Sequence, residues 1–287
     1  MLRPFEIHEP ATVAEASRLL ARLGEQAAVY AGGTELLLLM KEGLAHFPHL
    51  VNIKTIGGLD AIAFEDGVLR LGAVATHREI ETSPAARQHA PLVARVASQV
   101  GNLRVRAAGT IGGNLCFAEP HSDPAAVLVA WDATLVLARA GGERCVPAAG
   151  FFLGMLQTAR EPDEILTAVE VRPLPPGTGA AYHRFALHER PTAAVAAVVT
   201  VRDGAVAAAR VVVGSVGPVP VRVPEAEDAL AGRRPEGEVL RAAAEVAGRR
   251  ADVLEDMFTS TEYKRHLVSL LAARALHDAV SAARTAH

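Results

Sequence analysis

Two pairs of adjacent glycines stand beside hydroxyl, amide and carboxyl side chains, and together they could bind a phosphorylated ligand. The first pair lies in AGGTELLLLMK, residues 31–41, and the second in AAGTIGGNLCFAEPHSDP, residues 107–124. A chain that turns at Gly-Gly exposes consecutive backbone N–H groups, because glycine adopts positive φ without a steric penalty, and such groups attract anions. Each N–H given to a charged phosphate contributes roughly 1.5–3 kcal/mol. Four or five of them could therefore hold a pyrophosphate without a lysine.

Each pair taken alone is also compatible with a plain turn. We expect only turns at Gly57-Gly58 and Gly141-Gly142 of the same chain. The acidic residue of the second segment has two interpretations as well. Ser122-Asp123-Pro124 is a good helix start with proline in the first turn, and the Asp123 carboxylate could also direct one oxygen at a ligand.

Other catalytic and metal-binding patterns are absent from the sequence. GTIGGN is not the GxGxxG of a Rossmann unit, no lysine follows GxxxxG, and no HExxH occurs among the 11 histidines. His46 and His49 flank a Phe-Pro pair in an expected loop, and His121 lies near Glu119 and Asp123. Surface or loop histidines explain these positions better than ligands do, so we predict no metal site and no catalytic residue.

Composition limits the partners and the compartment. The 287 residues are 50% hydrophobic with a net charge of −3, which favours a globular protein and argues against nucleic acid as a partner. The apolar runs are too short for a membrane span and the first residues do not resemble a signal peptide, so we expect a cytoplasmic protein. In that compartment Cys116 and Cys145 are expected to stay reduced, and two thiols cannot ligate an iron-sulfur cluster.

Regular elements must hold the two glycine segments in place. Capping patterns at Thr12 and Thr76 predict helices after them, and Asp123-Pro124 opens another helix. Strands are predicted from apolar and β-branched runs, at residues 27–30, 50–53, 67–75, 133–139 and 165–171. An amphipathic helix with proline at its start, at 90–100, leads to the second glycine segment.

A second domain is predicted after the segment RPLPPGTG, residues 172–179, because its three prolines and two glycines suit a linker. The predicted domains are residues 1–175, with lobes of about 1–55 and 56–175, and residues 176–287. Asp203-Gly204 between apolar runs predicts a hairpin. Helices are expected at about 223–230, 238–247 and 261–283, the last capped by Thr259 with Glu262.

The pair of segments in this order closely resembles the two flavin-binding loops of the FAD-binding medium subunit of the molybdenum hydroxylases, the family of carbon monoxide dehydrogenase and xanthine dehydrogenase. Further similarity runs through VNIKTIGGLDAI, LRLGAVATHREIETSP and STEYKRHLVSLLAARAL, so it covers nearly the whole chain. The resemblance implies an α+β fold. A two-lobed FAD-binding domain of the vanillyl-alcohol oxidase and p-cresol methylhydroxylase type would precede a smaller domain with an antiparallel sheet and helices.

In that family FAD lies between the lobes and the glycine loops hold its pyrophosphate. Asp123 matches an aspartate on the flavin side. Tyr182 and His183 stand where the family often has an aromatic and a basic residue near the isoalloxazine. The loop residues that the resemblance assigns to FAD are Ala31, Gly32, Gly33, Thr34 and Glu35, followed by Thr110, Ile111, Gly112, Gly113 and Asn114.

The resemblance also implies an FAD-dependent oxidoreductase subunit that transfers electrons and does not hydroxylate substrate itself. A large subunit with molybdopterin would oxidise the substrate, a small subunit would carry two [2Fe-2S] clusters, and electrons would leave the FAD for an external acceptor. Two alternatives remain open, a free-standing FAD-dependent reductase of the same superfamily and a non-catalytic assembly subunit. The chain departs from the family at His183, which follows Tyr182 where members often have a basic residue, and at Pro191-Thr192, where many members have Asp-Tyr. It also lacks the cysteine-rich insertion of the 4-hydroxybenzoyl-CoA reductase subunit.

Overall fold

The structure is a computed structural model that describes residues 2–187, 190–257 and 259–285. Its helices are α1 (Val13–Leu23), α2 (Leu36–Lys41), α3 (His77–Thr82), α4 (Pro84–His89), α5 (Pro91–Ala97), α6 (Leu103–Ala108), α7 (Ile111–Phe117), α8 (Asp123–Ala130), α9 (Pro224–Asp228), α10 (Gly237–Arg250) and α11 (Thr261–Thr285). Its strands are β1 (Glu6–His8), β2 (Ala27–Tyr30), β3 (His49–Asn52), β4 (Ile62–Glu65), β5 (Val68–Gly72), β6 (Thr134–Arg139), β7 (Gly142–Pro147), β8 (Phe152–Gly154), β9 (Gln157–Thr158), β10 (Ile165–Val171), β11 (Thr178–Phe185), β12 (Ala193–Arg202), β13 (Ala205–Gly214) and β14 (Val221–Arg222).

A small parallel sheet of order β1-β3-β2 forms the first part of the chain, with α1 packed on it. Thr12 caps α1 by accepting the N–H of Glu15, and Gly24 ends the helix at φ +54°. Ala16 and Leu20 of α1 pack against Val51 in one apolar core. The predicted first helix and the strand before the first glycine loop are confirmed.

A five-stranded antiparallel sheet of order β4-β5-β10-β6-β7 follows. The short helices α3–α8 lie between β5 and β6 in the chain, and side-chain caps begin α3, α4, α6 and α7. At α3 the predicted capping box is present, since the Thr76 hydroxyl accepts the N–H of Glu79 and the Glu79 carboxylate accepts the N–H of Thr76. These elements form the largest apolar core of the molecule.

The last part of the chain is a four-stranded antiparallel sheet of order β11-β12-β13-β14. The predicted hairpin is confirmed, because Asp203 and Gly204 both have positive φ between β12 and β13. Alternate residues of β12 face opposite ways: Ala196 packs into the core that contains α8, and Val195 into the core formed with α10 and α11. The sheet therefore joins two cores, and the predicted α+β class is confirmed.

The structure corrects the end of the predicted linker and the predicted cap of the last helix. The last two residues of the predicted linker 172–179 belong to β11, which starts at Thr178. Gly179 must be glycine because α11 packs against it, and a Cβ there would overlap the carbonyl oxygen of Ala279. The cap of α11 is Ser260, which accepts the N–H of Tyr263 at 3.2 Å, whereas Thr259 bonds Asp256. Among the described residues, no helix combines the length and apolar character needed to cross a bilayer.

Candidate functional site

The first glycine segment is an open loop between β2 and α2. Gly33 has φ +72°, the conformation that the sequence predicts for a turn of exposed N–H groups. Within the described part of the chain, the backbone N–H groups of residues 32–35 donate to no protein acceptor, and all four residues are half-buried. Four consecutive donors that the protein leaves unpaired could bind an anion such as a pyrophosphate.

The second glycine segment has a different backbone, and the prediction that it turns at Gly-Gly is wrong. Thr110 caps α7, and Gly112 and Gly113 lie in the first turn of this helix. The N–H groups of residues 111–114 are all used internally: Ile111 bonds Ala75 O at 3.0 Å, Gly112 bonds Ala73 O at 2.8 Å, Gly113 bonds Thr110 Oγ1 at 3.1 Å and Asn114 bonds Thr110 O at 3.0 Å. The segment cannot offer the row of free donors that the sequence suggested.

Close packing explains the glycines of this helix. A Cβ on Gly112 would stand 2.6 Å from the carbonyl oxygen of Ala73, so only glycine allows α7 to lie against that backbone. Gly113 is exposed, and Asn114 is half-buried. The Asn114 Oδ1 accepts the Ser122 hydroxyl at 2.6 Å, whereas its Nδ2 donates to no described protein group. The second segment thus offers an open backbone surface and a side-chain amide.

The two segments lie against each other although they are distant in sequence. A Cβ on Gly32 would overlap the carbonyl oxygen of Ala108 and would lie 2.8 Å from the Cα of Gly109. On the other side of the contact, a Cβ on Gly109 would be 3.4 Å from the Thr34 hydroxyl. The structure therefore brings both predicted loops to one place.

Asp123 begins α8 and is 5% exposed. Its Oδ1 accepts the hydroxyl of Tyr182 at 2.5 Å, and its Oδ2 accepts Nη1 of Arg184 at 2.7 Å. Burial raises the pKa of Asp123, and the bonds from Tyr182 and Arg184 offset part of this rise. Burial and the adjacent carboxylate also hold the pKa of Tyr182 well above its ordinary value, so its hydroxyl stays a donor. Both oxygens of Asp123 are fixed by groups on β11.

The structure does not bring His183 to this cluster. Successive side chains of a strand point to opposite faces, so His183 leaves the Tyr182 face of β11 and its Nε2 lies 2.8 Å from Asp278 Oδ2 on α11. There it borders a cleft of 420 Å³ between α5 and α11. The basic group that shares a face with Tyr182 is Arg184. The two-residue period of the strand could have identified Arg184 from the sequence.

A second residue that sequence reasoning missed is Arg190. One of its terminal nitrogens lies 3.2 Å from the carboxylate of Glu35 in the first loop, and the other lies 3.1 Å from Glu119 after α7. His121 also bonds Glu119, at 2.7 Å. Burial raises the pKa of Glu119, but the bond and charge of His121 and the charge of Arg190 outweigh this effect, so its pKa lies below the ordinary value. No motif marks Arg190, because only the tertiary fold brings its two partners together.

Comparisons with known proteins agree with this architecture. Residues 3–175 match the family described as the FAD binding domain in molybdopterin dehydrogenase, and residues 181–279 match the CO dehydrogenase flavoprotein C-terminal domain. The carbon monoxide dehydrogenase medium chain of Hydrogenophaga pseudoflava is 33% identical over 277 residues, which cover 96% of each chain. The xanthine dehydrogenase FAD-binding subunit of Escherichia coli O157:H7 is 29% identical over 281 residues, again 96% of each chain.

The fold of a solved relative matches as well. A chain in the structure of carbon monoxide dehydrogenase from Hydrogenophaga pseudoflava, in a form that lacks the Mo-pyranopterin moiety, superimposes with a TM-score of 0.95 at 34% sequence identity. The superposition covers 98% of the present chain and 99% of that chain. The similarity therefore extends over the parallel sheet, the two larger antiparallel sheets and the helices between them.

Proposed function

The chain belongs to the family of FAD-binding subunits of the molybdenum hydroxylases, and we propose that it passes electrons from the [2Fe-2S] clusters of a partner subunit through FAD to an external acceptor. Its cofactor is FAD and its class is that of an FAD-dependent oxidoreductase subunit. FAD suits this role because it takes up and releases electrons singly or in pairs. The proposal divides the chain into an FAD-binding domain of residues 1–175, with its two lobes, and a C-terminal domain of residues 176–287.

The observation that carries the proposal is the row of N–H groups in the first loop that find no acceptor in the described part of the chain; this loop packs directly on the second segment. We assign the pyrophosphate of FAD to the loop of residues 31–35, whose donors are the N–H groups of residues 32–35. The second segment, residues 110–114, contributes the exposed backbone of Gly113 and the amide of Asn114. In this assignment the first loop supplies the hydrogen bonds and the second supplies a surface that a ligand can approach closely.

The cluster at the start of α8 is assigned to the flavin side of the site. Tyr182 and Arg184 each hold one oxygen of Asp123, so the carboxylate cannot rotate away from the domain boundary. Such fixed polar groups orient a bound ring without a further cost in side-chain entropy. His183 takes no part in this assignment, because its partner is Asp278 on the other face of β11.

The proposed partners are a molybdopterin-containing large subunit and a small subunit with [2Fe-2S] clusters. The two cysteines of this chain are both free, Cys116 half-buried and Cys145 exposed, and two thiols are fewer than one cluster requires. Electrons from such a cluster must therefore come from another chain. The proposal places the complex in the cytoplasm, where free thiols are the rule.

Flavin binding by the full-length chain tests the site. We expect flavin-free protein to bind FAD with a change in flavin absorbance, and Gly113→Val to weaken this binding at least tenfold, because the new side chain would project from the exposed backbone. Gly57→Val is the matched control, since no atom lies within 4 Å of a Cβ there. Equal FAD affinity for the two variants, each with the circular dichroism of the native fold, would overturn the assignment of the second segment.

Purification from the native source tests the electron path. We expect a large chain with molybdenum and a small chain with iron to accompany this chain at equal stoichiometry, and reduction of its FAD to require the small chain. Steady-state oxidation of NAD(P)H by the isolated subunit would favour the free-standing reductase. A complex in which FAD is bound but never reduced would favour the assembly subunit.

A further inference from the structure

Three residues at the edge of the parallel sheet form a group of metal-ligating side chains apart from the proposed flavin site. β1 pairs with β3 so that Glu6 lies beside His49, and Glu6 and His8 share a face of β1 because they are two residues apart. The sequence predicts a loop at His46 and His49 and no metal site. In the structure His49 is instead the first residue of β3, and its ring meets that of His8.

The distances within the group suit one metal ion. Nε2 of His8 lies 3.1 Å from Nδ1 of His49, and a carboxylate oxygen of Glu6 lies 3.6 Å from the same Nδ1. One ligand atom from each of the three residues can be chosen so that all lie within 4.8 Å of one another. Two ligand atoms bound at about 2.1 Å to a tetrahedral zinc ion stand about 3.4 Å apart. The His8–His49 and Glu6–His49 distances therefore lie within tenths of an ångström of this value, and the third pair of ligand atoms is separated by no more than 4.8 Å.

From this arrangement we propose that Glu6, His8 and His49 bind a divalent transition-metal ion, with zinc as the ion of choice. Two imidazole nitrogens and one carboxylate oxygen are a typical zinc ligand set, whereas magnesium and calcium prefer oxygen ligands alone. The Glu6 side chain is 65% exposed, and those of His8 and His49 are 18% and 23% exposed. The ion has access from solvent, and water completes its coordination.

The bound ion stabilises the first lobe by linking two of its strands. β1 is an edge strand of three residues, and the metal joins its side chains to β3 in the middle of the sheet. β2 and β3 run parallel, with Ala27 beside His49 and Tyr30 beside Asn52. The first glycine loop follows Tyr30, so the metal and the loop are at opposite edges of the sheet. Metal binding therefore stabilises the lobe without contributing to the flavin site.

Zinc titration of the tag-free full-length chain, stripped of metal by chelator and free of FAD, tests this site. We expect one zinc ion per chain by competition with a chromogenic chelator. At a zinc concentration one hundred times the Kd, the melting temperature should rise by about 5 °C. His49→Ala and His8→Ala should each weaken zinc binding more than tenfold and remove the rise in melting temperature.

His46→Ala is the matched control, because this exposed histidine lies only three residues from His49 and outside the group. It should bind zinc like the wild type. Glu6→Gln tests the site where an alanine variant fails to fold, since the exposed Glu6 side chain contributes little to packing; it should weaken zinc binding several-fold. The proposal is overturned if the wild type takes up no stoichiometric zinc, or if Glu6→Gln and the histidine variants bind it as tightly as His46→Ala does. FAD affinity should be the same in all these variants, so this test is independent of the proposed function.

Discussion

The two Gly-Gly segments share a dipeptide, yet they owe their glycines to different physical requirements. In the first loop Gly33 adopts positive φ, and the N–H groups of residues 32–35 have no acceptor among the described residues. In the second, Gly112 lies in a helix whose N–H groups are all bonded, and it is glycine because Ala73 O stands 2.6 Å from its Cβ position. The first loop is built to donate hydrogen bonds, and the second to pack closely while leaving its outer face open.

The contact between the segments makes them one unit. Gly32 of the open loop packs against the backbone of Ala108 and Gly109, which immediately precede the helix cap Thr110. Arg190 adds an ion pair to each side, at Glu35 and at Glu119. Substitutions at the contact, within α7 and at Arg190 should therefore change stability and FAD binding by different amounts.

The largest effect is expected for Gly32→Val, which forces the two segments apart. The side chain would overlap the Ala108 carbonyl, which is backbone and cannot rotate aside. We expect the free energy of unfolding to fall by about 3 kcal/mol and FAD binding to be lost. Urea denaturation and an FAD titration measure the two effects. Gly57→Val serves as control, and a Gly32→Val protein with native FAD affinity would show that the contact is not part of the site.

A smaller effect should separate the two glycines within α7. Gly112→Ala should lower the free energy of unfolding by about 2 kcal/mol, because the methyl group meets the backbone of Ala73. Gly113→Ala should change it by less than about 1 kcal/mol, since alanine favours the helix while its methyl group meets the Thr110 hydroxyl at 2.8 Å. Equal losses in urea denaturation would mean that both glycines are required by a turn.

A still smaller effect on stability is expected for Arg190→Ala. The Arg190 side chain is 50% exposed, so its ion pairs should contribute less than about 1 kcal/mol. FAD should nevertheless dissociate several-fold faster, because both segments lose their link to the C-terminal sheet. Stopped-flow release of FAD measures this change. Arg249→Ala, which removes an exposed pair with Glu245 on α10, should leave the release rate unchanged.

The smallest expected effect is a pH dependence at Glu119. Its pKa in the folded protein lies below the ordinary value of 4.5, so the ionised carboxylate stabilises the fold above that pH. This contribution is lost as the pH falls through the lowered pKa. The melting temperature of Glu119→Gln should therefore be below that of the wild type at pH 7, and the two should converge towards pH 3. A constant difference across this range would contradict the ionic role of Glu119.

Much of the local structure could be predicted from the sequence, because its signals are local. Thr76 with Glu79, and Asp203 with Gly204, specify a helix start and a hairpin by contacts within a few residues. The prediction for Gly112-Gly113 failed because a glycine pair is compatible with both a turn and a helix, and the packed backbone of Ala73 decides between them. The resemblance aligns His183 with the flavin side because it follows Tyr182 in the chain, whereas the alternation of the strand places Arg184 on the Tyr182 face.

The α+β class, the family resemblance and the two glycine segments follow from the amino-acid sequence, since capping residues, apolar periodicity and the order of the motifs are local properties of the chain. The free N–H groups, the side chains that fix Asp123 and the partners of Arg190 and His49 follow from the folded arrangement. Those contacts join residues that are far apart in sequence. Their formation depends on strand register and on helix packing, which no short motif encodes.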